Sequence, residues 1–99
     1  MNMRLVLHAP TAAALTRARS NARNLLARRS DTKILIVVNA DGVAAIGLGG
    51  DAETDAMIRI CENTLRSRNL AFPEHLKTIP AAIETLAELQ AEGWIYIRA

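Results

Sequence analysis

The sequence predicts a single α/β domain, residues 1–99, built on a mostly parallel, doubly wound sheet of five strands. Three observations carry this. Residues 34–38 read ILIVV without a polar break, the mark of a strand buried on both faces. Before them, residues 11–29 place Leu15, Ala18, Ala22, Leu25 and Leu26 at spacings of three and four, the period of an amphipathic helix. A short apolar run precedes that helix, so the order is strand, long crossover helix, buried strand, which is a βαβ unit and imposes parallel pairing.

The first strand is expected over residues 5–7, after Arg4 and up to His8. Thr11, directly after Pro10, is the expected N-cap of the first helix. A third strand is expected over 57–61, where Met, Ile, Arg, Ile and Cys follow one another. Glu62 opens a shorter helix that ends near Asn69, and residues 77–79 form a short fourth strand. A second longer helix is predicted from about residue 81 to 92, with Ile83, Leu86, Ala87 and Gln90 on one face and Gly93 at the stop position. Residues 94–97 close the sheet. The connection 41–56, DGVAAIGLGGDAETDA, has room for only a turn or two of helix. A shortened second crossover leaves one sheet face thinly covered, and exposed parallel-sheet surface calls for a partner subunit.

Ninety-nine residues make one domain, and 51% apolar with 22% charged residues exclude a disordered chain. The apolar half is mostly small: eighteen Ala, twelve Leu and nine Ile stand against one Phe, one Trp and one Tyr. A chain of this length buries only about 60–65% of its unfolded surface, and an Ala-rich core gains less per residue. Both facts again predict oligomerisation. The uncharged run 5–16 is far shorter than the roughly 18 residues of a membrane span, so no membrane association is expected.

The charge is uneven, since residues 1–30 contain six Arg and no acid while all ten acids follow. Arg17, Arg19, Arg23, Arg28 and Arg29 fall within the first helix, with no interleaved aromatics and no Gly-rich contact loop. That is the pattern of a solvated helix face rather than a nucleic-acid interface, with Arg28 and Arg29 at the carboxyl end where cations suit the helix dipole. Glu84, Glu88 and Glu92 form an acidic stripe of the same solvated kind.

Cys61 is the single cysteine. It admits no internal disulfide, so a reducing cytoplasm is the expected compartment. It ends a predicted strand just before a predicted helix, at the carboxyl edge where open α/β sheets bind ligands. A helix amino terminus stabilises a thiolate; Glu62 opposes it. The residue is either a reactive thiol or an inert packed one, free cysteine being among the most buried residue types. His8 ends the first strand. If strands one and three are neighbours, its imidazole stands beside Cys61 as ion-pair partner or base. Asn39, Asn63 and Thr64 are further candidates for the same crevice, the alternative for each being capping and turn chemistry. His75 lies in a loop with no such argument. Gly47, Gly49 and Ala52 spell G-x-G-x-x-A, but a dinucleotide fingerprint needs a following full helix, and a new strand is predicted from Met57. No hydrolase, zinc or P-loop motif is present.

Aligned in order, five segments resemble the DsrE/DsrF-like family of intracellular sulfur-oxidation and sulfur-relay proteins: RLVLH at 4–8, SNARNLL at 20–26, ILIVVNADGV at 34–43, CENTLRSRNL at 61–70 and ELQAEGWIYI at 88–97. The resemblance implies a flavodoxin-like three-layer fold and assembly as trimers or hexamers; a dimer is the alternative the expected oligomerisation leaves open. It also implies a cysteine that carries sulfur as a persulfide; such exchange is thiolate chemistry that needs an exposed low-pKa sulfur and no metal or nucleotide, so no cofactor is expected. Cys61 takes that cysteine's place, with Asn63 and Thr64 beside it and His8 as a neighbour. The resemblance therefore implies a sulfur donor and an acceptor protein as partners. The alternative is a non-catalytic oligomeric module that binds a small ligand or a protein. The connection 41–56 is shorter than the family implies, which leaves the lining of the crevice open.

Overall fold

The computed structural model describes residues 2–48 and 50–99. In chain order it contains β1 (Arg4–Ala9), α1 (Ala12–Arg28), β2 (Lys33–Val38), a 3₁₀ helix (Ala40–Ala45), α2 (Ala52–Asp55), β3 (Ile58–Cys61), α3 (Glu62–Arg68), β4 (Lys77–Ile79), α4 (Ala82–Ala91) and β5 (Ile95–Arg98). All pairs in the five-stranded sheet are parallel, in the order β4-β3-β2-β1-β5. Helices on both faces make it a three-layer αβα molecule of the flavodoxin-like class.

Local chemistry sets the boundaries. Thr11 Oγ1 accepts the Ala14 amide at 3.0 Å and so caps α1. Gly93, with φ +91°, ends α4: its N–H bonds to Gln90 O and that of Trp94 bonds to Leu89 O, the paired closure of a Schellman turn. Asn69 takes the left-handed conformation after α3.

One sheet face carries Leu5, Leu7, Ile34, Ile36, Ile58 and Ile60, all buried. Ala14, Ala18 and Ala22 let α1 lie close on it, and Val43, Ala45 and Ile46 of the short connection and Leu65 of α3 complete the cover. The opposite face buries Val6, Val37 and Cys61 against Ala82 and Leu86 of α4, with Leu35, Ile79, Leu89 and Trp94 around them. Each fully buried branched aliphatic side chain contributes about 1.5–3 kcal/mol.

Three expectations are corrected. The thinly covered face is the one under α4, the only helix on it among the described residues, because the chain after β4 must cross back over the whole sheet to reach β5; the short connection covers its own face with Val43, Ala45 and Ile46. The inward side of α4 is Ala82, Leu86 and Leu89, whereas Ile83 is 79% exposed and Ala87 and Gln90 are also exposed. Finally, β2 separates β1 from β3. Of the G-x-G-x-x-A match, Gly49 lies outside the described residues, and Ala52 opens the four-residue α2 rather than a full helix.

Candidate functional site

The connections diverge between β3 and β4. From β3 the chain turns into α3, whose Leu65 joins the first core, while from β4 it enters α4 on the opposite face. Such a divergence at the carboxyl edge is where open α/β sheets form ligand crevices. Cys61 stands there, as the last residue of β3 and the N-cap of α3.

Two helix starts meet at the sulfur. The Ala82 amide, first residue of α4, donates to Cys61 Sγ at 3.4 Å, and α3 begins at Glu62 immediately after the cysteine. Burial pushes the thiol up, but the amides of Thr64 and Ala82, the Thr64 hydroxyl and the Asn63 amide favour the thiolate. The balance holds Cys61 below the ordinary thiol range. Glu62, which opposes a thiolate, is turned to β4, where the Thr78 hydroxyl donates to its Oε2 at 2.6 Å. The sulfur is nonetheless shielded, Cys61 being 5% exposed.

The remaining candidates fall into a row along the edge. His8, Asn39 and Thr64 make up this row: Asn39 Oδ1 is an acceptor, and His8 Nε2 donates to it at 2.8 Å. On the other side of the ring Nδ1 lies 2.7 Å from the Tyr96 hydroxyl of β5. From β2 the row continues through Ala40, whose N–H donates to Thr64 Oγ1 at 3.2 Å. Ala40 has φ +49°, a left-handed conformation that costs an alanine about 1 kcal/mol. The structure thus joins His8 to Asn39, and Thr64 to both Ala40 and Cys61.

His8 and Cys61 do not meet. With β2 between them their strands lie about 10 Å apart, so the imidazole is neither ion-pair partner nor base to the sulfur. Asn63 is also apart from the row: its Oδ1 accepts from Arg66 on the exposed side of α3, although its amide still faces the sulfur. Among the described residues no three His, Cys, Asp or Glu side chains gather as a metal site, and no helix is long and apolar enough to cross a membrane.

A second polar cluster was not anticipated from the sequence. Arg19, 3% exposed, donates from Nη1 to Thr54 Oγ1 and Asp55 Oδ1, each at 2.7 Å. Asp55 also meets His75 Nε2 at 3.1 Å, and Asp51 meets Arg23 at 2.7 Å. The expected solvated arginine face is therefore wrong at this position. The signal was available: Arg19 lies four residues after Leu15 and three before Ala22, on the face that packs.

No family model matches the chain, and no curated protein matches it. Among solved structures, a protein of unknown function from Methanobacterium thermoautotrophicum aligns over 99% of this chain and 98% of that one, with TM-score 0.79 and 22% identity. This likeness shows the fold.

Proposed function

We propose that this chain is a DsrE-like sulfur carrier of the cytoplasm, accepting sulfur as a persulfide on Cys61 and passing it to a partner thiol. The observation that carries the proposal is the convergence of the α3 and α4 starts on one sulfur that is thereby held below the ordinary thiol range. The Cys61 thiolate attacks the outer sulfur of a donor persulfide, forming Cys61–S–SH, while the donor S–S bond breaks and its inner sulfur leaves as a thiolate. An acceptor thiolate then attacks the outer sulfur of Cys61–S–SH, taking it as a new persulfide and returning the Cys61 thiolate. Both steps are redox-neutral exchanges of one S–S bond for another.

The subunits assemble as a homo-oligomer in this reading, a trimer or hexamer with a dimer as the smaller form. The cover of the second sheet face by α4 alone among the described residues, and the exposed Ile83, Ile95 and Ile97, support assembly. A second reading is a non-catalytic oligomeric module that binds a small ligand at the His8, Asn39 and Tyr96 end of the edge. It is favoured by the shielding of Cys61, since a carrier must open the amino end of α4 for a donor to reach the sulfur.

Intact-mass measurement after incubation with polysulfide, paired with an alkylation rate profile against pH, separates the two. The carrier predicts adducts of sulfur mass that reductant removes and Cys61→Ser abolishes, with an alkylation midpoint below about 8.5. An unmodified protein, alkylated only as fast as it unfolds, would overturn the carrier and leave the binding module.

A further inference from the structure

Purely parallel sheets are covered on both faces, and here the face under α4 is covered by that helix alone among the described residues. Side chains alternate along a strand, so Lys33 of β2, Arg59 of β3 and Lys77 of β4 share this face with Leu35, Val37, Cys61 and Ile79. α4 seats Ala82 and Leu86 on Val6 and Val37. Beside it Leu35 and Arg59 remain half-buried, and Lys33 and Lys77 are exposed. Register sets Arg59 directly against Lys77, yet none of the three cations meets a carboxylate among the described residues. Arg59 reaches only the carbonyls of Ala56 and Ile58, at 3.1 and 2.8 Å. Burial lowers its guanidinium from the ordinary range, and no counter-charge offsets it.

Carboxylates that match these cations lie on the other side of α4. Ile83, 79% exposed, and Ala87 form an apolar stripe there, with Glu84 and Glu88 as an acidic stripe beside it. Neither glutamate meets a cation among the described residues. We propose that this outward side of α4 docks on the uncovered part of the same sheet face in a second copy of the chain, and reciprocally, as a two-fold contact. Ile83 and Ala87 meet Leu35 and Ile79, and Glu84 and Glu88 meet Lys33, Arg59 and Lys77. The contact is isologous, because one layer carries both halves of it. Each α4 then lies between its own sheet and that of the second copy, so both sheets gain the cover that parallel pairing requires. The opposite charges fix the register of the two copies. The inference rests on the homo-oligomer of the reading above, for which it supplies the dimer or the two-fold of a hexamer, and is independent of sulfur transfer.

The test is sedimentation of the full chain and of two charge-reversed variants, apart and mixed. The parent is expected to associate through this contact with a Kd on the order of 10 µM. Glu84→Lys with Glu88→Lys sets cation against cation, and Lys33→Glu with Lys77→Glu sets acid against acid. Either reversal weakens the contact about a hundredfold or more and halves the mass of the parent oligomer, dimer to monomer or hexamer to trimer. All four positions are exposed, so neither reversal disturbs the core. Mixed in equal amounts, the variants place acid against base at both halves of the contact and recover the parent mass, which merely damaged chains would not do. A parent oligomer that keeps its mass in both variants, or variants that do not recover on mixing, overturns this proposal alone and moves assembly to another surface. A parent still monomeric at about 1 mM overturns it together with the assembly in the reading above, and leaves the basic face to an acidic partner of another kind.

Discussion

Thr54 and Thr32 are both buried threonines, and the same substitution has opposite consequences at the two positions. The Thr54 hydroxyl accepts from Arg19 Nη1 at 2.7 Å and donates to Asp51 Oδ2 at 2.8 Å, while the Thr54 amide donates to Asp51 Oδ1. Thr32 Oγ1 is buried without a partner among the described residues. Valine matches threonine in shape, so Thr54→Val removes two hydrogen bonds and strips one partner from a buried guanidinium, at an expected cost of about 1–3 kcal/mol. Thr32→Val removes an unmatched hydroxyl and is expected to be neutral or to stabilise by up to about 1 kcal/mol. Urea unfolding measures both, the midpoint moving down for Thr54→Val and holding or rising for Thr32→Val with unchanged slopes. Equal losses at the two sites would mean that the Arg19 cluster contributes no more than shape. Nothing in the sequence distinguishes these threonines, because the distinction lies in what chain 51–55 brings against α1.

Among the elements, the 3₁₀ helix is held tightly against the end of β1. The Gly42 amide bonds to Pro10 O at 3.2 Å and Asn39 O at 3.0 Å, and a Cβ at Gly42 would overlap the Ala9 carbonyl oxygen. Gly42→Ala therefore has to push this helix away from the end of β1. The expected loss is about 1–3 kcal/mol, together with displaced His8 ring resonances, since Asn39 begins the same segment and holds His8 Nε2. A variant as stable as the parent would show that the segment adapts freely. Elements of this kind separate what a sequence discloses from what it conceals. The ILIVV run, Thr11 and Gly93 declared β2, the start of α1 and the stop of α4, because each acts through neighbours in the chain. Strand order is different: connection lengths and periodicity allow β1 beside β3 or β2 between them, and only packing chose the second. The His8–Cys61 pairing fell with that choice, whereas Cys61 at the head of α3 stood, being a local feature. The face of α4 was misjudged because Ile83 suits a core by composition, while the buried partners at Ala82, Leu86 and Leu89 depend on how the helix lies over Val6 and Val37.

Across the whole molecule, three titrating groups tie stability to pH from opposite ends of the scale. Asp51 is held below the carboxylate range chiefly by the Thr54 amide and hydroxyl, aided by Arg23 and Arg19. At Asp55, burial pushes upward, but Arg19 and His75 outweigh it and the net shift is also downward. In both cases the unfolded chain binds protons first as pH falls, so stability is fully present above about 3.9 and drains away as pH drops toward the depressed folded values. The Cys61 thiol follows the same sign at the other end. There the folded state releases its proton first as pH rises, so stability grows from the folded value up to the ordinary thiol value of about 8.5 and then levels off. Chemical denaturation across pH is thus expected to show an acid decline, a plateau and an alkaline rise. Asp55→Asn should flatten part of the acid limb while lowering the plateau by about 3 kcal/mol, because Arg19 then lacks its buried counter-charge. Cys61→Ser should remove the alkaline rise and leave the acid limb untouched. The two limbs report separate places, one beneath α1 and one at the meeting of α3 and α4. A parent profile with no alkaline rise would count directly against a stabilised thiolate at Cys61, independently of whether any sulfur donor reaches it.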